Sequence, residues 1–397
     1  MTSSRWLKIF DKTQIKNFSR KVDHSRKKIM QPLIGLLLQL IKKRNTQTQL
    51  LDKEQIKSIA IIRSNRRIGN TVFLLPFVNQ IKTTFPNAQI TLILKEPWQR
   101  QIFAHLGIHQ FRFSQFRLKN LRLCFQSLWA LRKDSYDLAL VPCGSSQDSI
   151  ICALLNAKNK IAYENARYRE AYTHTVPSQN TFGHAALQCL NLIPQLYEFA
   201  APIGNYQMTL SDSEKAKGLS SRRAYNVDTK QLCIAFFRGA RGQKQLTDDT
   251  WRKILDQFTQ ASTLPIQWIE VMAPDMSEPL FNDSSIYRAK GLRELAGFLK
   301  YNDAFISCDT GPLHLADAVD SRCIGLYTHT NPVVYGLLNE KSIYIRNITD
   351  FNAAAILQKV MSERPALNSS VALLTHHSTE SQSETELPLS LETAQPL

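Results

Sequence analysis

The chain has 397 residues, 43% of them hydrophobic and 21% charged, with 49 Lys and Arg against 33 Asp and Glu for a formal charge of +16. That length supports two ordinary cores, and the apolar content excludes a disordered chain. A membrane-spanning helix needs ~20 consecutive apolar residues, and the longest run, Leu33–Ile41, is interrupted by Gln39 and closed by Lys42, Lys43 and Arg44. The run also starts too late, and lacks the small-residue cleavage site, for a secretory signal.

Residues 1–50 carry twelve Lys and Arg against only Asp11 and Asp23. No Gly or Pro precedes Pro32, and Trp6, Ile9, Phe10, Ile15 and Phe18 recur at roughly helical spacing among the cations. The pattern is that of a basic amphipathic helix, which either lies along a membrane surface or packs on the body of its own protein. Such charge asks for an anionic partner: acidic lipid, an anionic glycolipid or nucleic acid. Nucleic acid is disfavoured, because the aromatic residues sit on an apolar face and not at exposed stacking positions.

From Ile56 the texture changes. Ser58–Arg63 reads as a buried strand, followed by a polar loop over 64–70 and a helix from Thr71 to about Phe85. Gln89–Leu94 is a second buried strand. Arg112 to Lys133 holds six Lys and Arg and no acid, interleaved with Phe111, Phe113, Phe116, Phe125 and Trp129. That stretch suits either an anionic glycolipid or a plain solvated helix with a core-facing stripe. Leu138–Val141 and Ile161–Tyr163 are further strands, with a helix over Asp148–Leu155.

The pattern restarts at the Leu232–Phe237 strand, which leads into the loop Arg238–Lys244 and a helix capped near Thr247 or Asp248. Ile266–Met272, Ala304–Ser307, Cys323–Tyr327 and Ile343–Ile345 supply strands; Leu292–Lys300, Leu313–Val319 and Phe351–Met361 supply helices. Apolar strands alternating with helices give parallel sheets covered on both faces. The chain therefore divides into an extension 1–50, α/β units 51–215 and 216–364, and a disordered tail 365–397, where four Glu stand with no Lys or Arg. Seven cysteines, none in a CxxC pair, fit buried reduced thiols.

No GxGxxG, GxxxxGK[ST], HExxH or other metal-ligand spacing occurs, so no metal or cofactor is expected. Three strand-to-helix loops carry the chemistry instead. In the first, Arg63, Arg66, Arg67, Gly69 and Asn70 lead into a helix start that favours an anion. In the second, Gly239 and Gly242 free backbone N–H groups and Lys244 supplies a point charge suited to phosphate. In the third, Asp309, Thr310, Gly311, Pro312 and His314 follow a strand end, with Pro312 placed for the first turn of a helix.

The run Asp309–Thr310–Gly311–Pro312–Leu313–His314–Leu315–Ala316 resembles the D-[ST]-G-P-x-H-x-A signature of glycosyltransferase family 9, the ADP-heptose:lipopolysaccharide heptosyltransferases. Gly239–Ala240–Arg241 with Lys244 resembles that family's G-A-x…K loop, and Ile68–Gly69–Asn70 with Leu75–Pro76 its I-G-D…P segment. Tyr136–Asp137–Leu138, Asn156–Ala157–Lys158 and Leu292–Ala296 match its pattern too, so the likeness spans about 56–362. The resemblance implies an α/β GT-B fold, two Rossmann-like domains facing across a cleft, with acceptor on the N-terminal and donor on the C-terminal domain. It implies inverting, metal-independent transfer of a sugar such as heptose from a nucleotide sugar, ADP-heptose or another, to the anionic lipid A-core of lipopolysaccharide or lipooligosaccharide. The place of action it implies is cytoplasmic, peripheral to the inner membrane.

By the same resemblance Lys244 holds the donor phosphate, Thr310 and Gly311 contact the diphosphate, Asp309 meets the transferred sugar and His314 braces the loop. Asp275 or Glu278 is the expected ribose carboxylate. One position departs: the family's acidic general base is Asn70 here, and an amide cannot take up a proton near neutral pH. Either Asn70 orients the acceptor while another carboxylate is the base, or the enzyme is slow, or the chain is a non-catalytic family member that binds nucleotide sugar or glycolipid. The first reading is favoured, because the donor loops are intact.

Overall fold

The computed structural model describes residues 49–114, 121–178, 182–197, 207–225, 230–282, 285–362 and 364. The expected tail and all but the last two residues of the basic extension lie outside the described residues, as do Phe116, Arg117 and Lys119.

The first half contains β1 (Ser58–Arg63), α1 (Ile68–Val72), α2 (Leu75–Thr84), β2 (Gln89–Leu94), a 3-10 stretch over Pro97–Phe103, β3 (Gln110–Phe113), α3 (Leu121–Ala130), β4 (Ser135–Val141), α4 (Ser146–Leu154), β5 (Asn156–Tyr163), β6 (His174–Val176) and α5 (Ala185–Gln188). The second contains α6 (Asp212–Arg223), β7 (Leu232–Phe237), α7 (Asp248–Ala261), β8 (Ile266–Val271), β9 (Ser285–Tyr287), α8 (Leu292–Lys300), β10 (Ala304–Cys308), α9 (Gly311–Ala318), β11 (Cys323–Leu326), α10 (Pro332–Tyr335), β12 (Ile343–Ile345) and α11 (Ala353–Ser362).

Each half builds one parallel six-stranded sheet, ordered β3-β2-β1-β4-β5-β6 and β12-β11-β10-β7-β8-β9. Counted from its own first strand, each sheet reads 3-2-1-4-5-6, the doubly wound order in which ligands sit where the winding reverses, outside the carboxyl ends of the strands. Those switch points fall between β1 and β4, where Ile59 faces Leu138, and between β7 and β10, where Ile234 faces Ala304. The central strands bury every interior residue: Ile59–Ile62 and Leu232–Phe236 are closed to solvent. That is why they appear as unbroken apolar runs.

Local chemistry sets the helix starts. Ser145 caps α4 by accepting from the Asp148 amide, Thr247 caps α7 through the Thr250 amide, and Ser211 with Glu214 forms a reciprocal box at α6. The expected helix 71–85 is two helices, broken at Phe73–Leu74 before Pro76, so Gly69 and Asn70 lie inside a helix and not in the loop. Segment 207–225 attaches to the second unit: the Met208 amide bonds the Ala318 carbonyl, and α6 lies on α8 so closely that a Cβ on Gly218 would strike the Gly297 carbonyl. All seven cysteines are free thiols; six are buried and Cys143 is exposed. No described helix is long and apolar enough to cross a membrane.

Candidate functional site

Strand β10 ends at Cys308, leaving Asp309 and Thr310 to turn the chain into α9. Asp309, 7% exposed, is held from two sides. His314 Nε2 donates to its Oδ1 at 2.9 Å, while Lys244 Nζ donates to its Oδ2 at 2.9 Å and its backbone carbonyl at 2.6 Å. Burial pushes this carboxyl upward, but His314 and Lys244 outweigh it and hold Asp309 at about 2, fully ionised. With the carboxylate ionised, Nε2 of His314 carries a proton, and its Nδ1 is buried with no hydrogen-bond partner among the described residues.

The second expected loop delivers Lys244. Gly239 sits over the Phe237 ring, where a Cβ would collide, and Gly242 adopts φ +66, a left-handed turn that glycine tolerates best. The 3-10 turn Gly242–Lys244 then leaves the lysine 31% exposed and aimed at Asp309. Thr310, the residue before α9, makes no side-chain cap; its hydroxyl pairs with Ser307 Oγ at 2.8 Å. One lysine, a helix N-terminus and two hydroxyls thus line the carboxyl end of β10, a surface able to receive a diphosphate.

The first loop meets this cluster from the other unit. A Cβ on Gly311 would stand 2.7 Å from Ile68 Cβ, and one on Gly69 2.9 Å from His314 Cδ2, so α1 and α9 touch through their glycines. What approaches Gly69 is therefore His314. Phe73 packs edge-on to His314 at 4.7 Å and to His184 at 5.3 Å, and His184 Nε2 donates to the Gly336 carbonyl at 3.0 Å. Burial lowers the His184 pKa, keeping it neutral at pH 7. Gln101 adds a second bridge, accepting from the Leu292 amide at 2.9 Å and from Arg293 at 2.8 Å.

Asn70 stands beside Gly69 on α1, partly exposed. Arg66 and Arg67 are exposed; Arg63 turns inward, its Nη1 3.7 Å from Asp148. Asp148 is fully buried and accepts from the Ser64 amide at 2.6 Å and the Ser145 hydroxyl at 2.6 Å. Above the same sheet edge Lys95 Nζ reaches Gln147 Oε1 at 3.0 Å. Asp275 and Glu278 are both exposed on the segment after β8.

The structure brings the expected residues Lys244, Asp309, Gly311, His314 and Gly69 to one place, and Phe73, His184 and Gln101, which join the units across it, were not expected from the sequence. The sequence reading also missed Arg238, whose guanidinium bonds Glu270, Asp248 and the Glu278 carbonyl. Glu270 was the available signal: an acid inside the apolar strand Ile266–Val271 asks for a cation.

Two Rossmann-like sheets meeting over a cationic cluster at their carboxyl edges define an α/β protein of the GT-B architecture. The chain belongs to glycosyltransferase family 9 (heptosyltransferase), whose model matches residues 125–366, more than half of the sequence, and it is a glycosyltransferase. Among solved structures, the glycosyl transferase family 9 protein of Veillonella parvula DSM 2008 is similar at 15% identity and TM-score 0.61, covering 83% of this chain and 98% of that one. The E. coli heptosyltransferase WaaC with ADP is 17% identical at TM-score 0.59, covering 77% and 99%. The E. coli ADP-heptose lps heptosyltransferase II is 15% identical at TM-score 0.58, covering 81% and 100%. No curated protein matches this sequence.

Proposed function

We propose that this glycosyltransferase moves a sugar, heptose in the reading we favour, from a nucleotide-sugar donor to the anionic lipid A-core of lipopolysaccharide or lipooligosaccharide at the cytoplasmic face of the inner membrane. Transfer inverts the anomeric centre and needs neither metal nor cofactor. ADP-heptose is the first donor to test, because similar structures carry ADP and ADP-2-deoxy-2-fluoro heptose. The observation that carries the reading is the Lys244–Asp309–His314 cluster facing α1 of the other unit.

Lys244, Thr310 and the first amides of α9 take the diphosphate, Gly239 keeps the neighbouring loop close, and Asp309 holds the transferred sugar. His314 keeps Asp309 in place. Arg66 and Arg67 meet the anionic acceptor, with Arg63 behind them. Asn70 orients the acceptor hydroxyl, and the carboxylate that packing brings toward its helix is Asp309, reached through Gly69 and His314. Donor phosphate draws Lys244 away from Asp309 and thereby removes one of the groups that hold its carboxyl low, moving it toward basicity.

The experiment combines the full chain with a panel of nucleotide sugars and de-O-acylated core oligosaccharides, following nucleotide release and acceptor mass. Release of a nucleoside diphosphate with a matching mass gain, abolished in Asp309→Ala, is expected. Turnover by Asn70→Asp alone would show that the base has been lost, and silence from both proteins would overturn the reading.

A further inference from the structure

Arg238 follows β7 directly, at the root of the loop that carries Lys244. Its guanidinium works in three directions. Nε donates to Glu270 on β8, Nη1 to Asp248 at the start of α7 at 3.0 Å, and Nη2 to the backbone carbonyl of Glu278. Glu270 is closed to solvent and accepts from the Leu280 amide at 2.6 Å through its second oxygen. One arginine, through two ion pairs and a carbonyl bond, therefore ties both ends of the Lys244 loop to the exposed segment after β8.

We infer that Arg238 is a positioning residue for the nucleotide half of the donor, setting, with Glu270, the gap between the two loops that receive a nucleoside diphosphate. The inference rests on the donor reading above. A buried ion pair is a poor device for stability alone, since apolar residues of similar volume commonly serve as well or better. What an arginine fork adds is direction, because its donors lie in one fixed plane. Here that plane joins a strand, a helix start and a loop carbonyl, and the space between the joined loops opens at the carboxyl ends of β7 and β8. In a doubly wound sheet that edge is where a nucleotide lies.

The test titrates ADP, and in parallel UDP, GDP and CDP, into the full chain and its variants by calorimetry, then measures steady-state kinetics with the active donor. Arg238→Gln is expected to weaken ADP binding about tenfold and raise donor KM alike, while acceptor KM and kcat at saturating donor stay within about twofold. Arg238→Lys recovers part of the loss, since a single ammonium reaches Glu270 but not all three acceptors. A folded Arg238→Gln protein that binds ADP as wild type does would overturn the inference, as would a proportional loss in kcat and both KM values. Should that variant not fold, Asp248→Asn carries the test, since Asp248 is 53% exposed. Donor KM is then expected to rise about threefold with acceptor KM unmoved, and an unmoved donor KM overturns the proposal. Wild type that binds no nucleoside diphosphate brings down the donor reading itself, a result separable from the failure of Arg238 alone.

Discussion

Asp309 is buried enough to resist ionisation, yet His314 and Lys244 keep it charged, so its charge depends on both partners. Asp309→Asn removes the anion that His314 and Lys244 both face and leaves Lys244 without its pair. We expect nucleotide release to fall by about two orders of magnitude or more, the scale of losing one preorganised electrostatic contact in a catalytic site. The pH dependence follows from the direction of the shift. A carboxyl lowered from 3.8 to about 2 on folding contributes stability that is complete above about pH 4 and disappears as pH falls toward 2. Glu214, held at about 2 chiefly by Arg293, behaves alike and remains in the variant. Melting temperatures between pH 5 and 2 should therefore fall less steeply for Asp309→Asn than for wild type, and parallel curves would show that Asp309 does not carry this linkage.

The contact between α1 and α9 turns two glycines into a joint. A methyl group at Gly311 meets Cβ of Ile68, which cannot swing aside, whereas one at Gly69 meets a ring edge already fixed by Asp309. Gly311→Ala should cost about 1–3 kcal/mol in urea unfolding, as overpacking does, with Gly69→Ala milder because alanine also favours the helix. Ile68→Gly, which removes that Cβ, added to Gly311→Ala should restore part of the loss, a coupling that a double-mutant cycle reads directly. These elements differed in how plainly the sequence showed them. Strands β1, β2 and β7 match their expected bounds, because central or tightly covered strands make unbroken apolar runs, and the edge strand β12 matches through its Ile-Tyr-Ile run. Strands β3, β6 and β9 were missed; they are three or four residues long and only partly buried, so no periodicity marks them. The site loops were legible from glycine, lysine and proline placement. Their meeting was not, since Lys244 and Asp309 stand 65 positions apart and Gly69 belongs to the other sheet.

At the scale of the whole molecule, charge and exposed apolar surface converge on α3. Its outward arc holds Arg122, Leu123, Gln126 and Trp129, with Arg132 and Lys133 just beyond. Trp129 is 56% exposed with the Arg132 guanidinium 5.5 Å above its ring, while Leu128 and Leu131 turn inward to the core. Among the described residues of this stretch the remaining basic one, Arg112, is occupied by Asp134 at 2.7 Å and so adds little outward charge. Trp beside cations is the composition of a surface that rests in a headgroup layer. Each cation near an anionic leaflet contributes about 1 kcal/mol, so Arg122→Ser with Arg132→Ser should weaken binding to phosphatidylglycerol-containing vesicles about 30-fold. Residues 1–48 add twelve cations and two acids, and the chain is anchored after them, where the Leu51 amide and Gln49 carbonyl bond Asn159. A chain beginning at Gln49 keeps the bonds to Asn159 and should lose more vesicle affinity than the double variant. Screening shortens from about 8 Å at 0.15 M salt to about 3 Å at 1 M, so sedimentation with vesicles should fall steeply with added NaCl. Binding that ignores both salt and these substitutions would mean that this surface has no electrostatic hold on the bilayer.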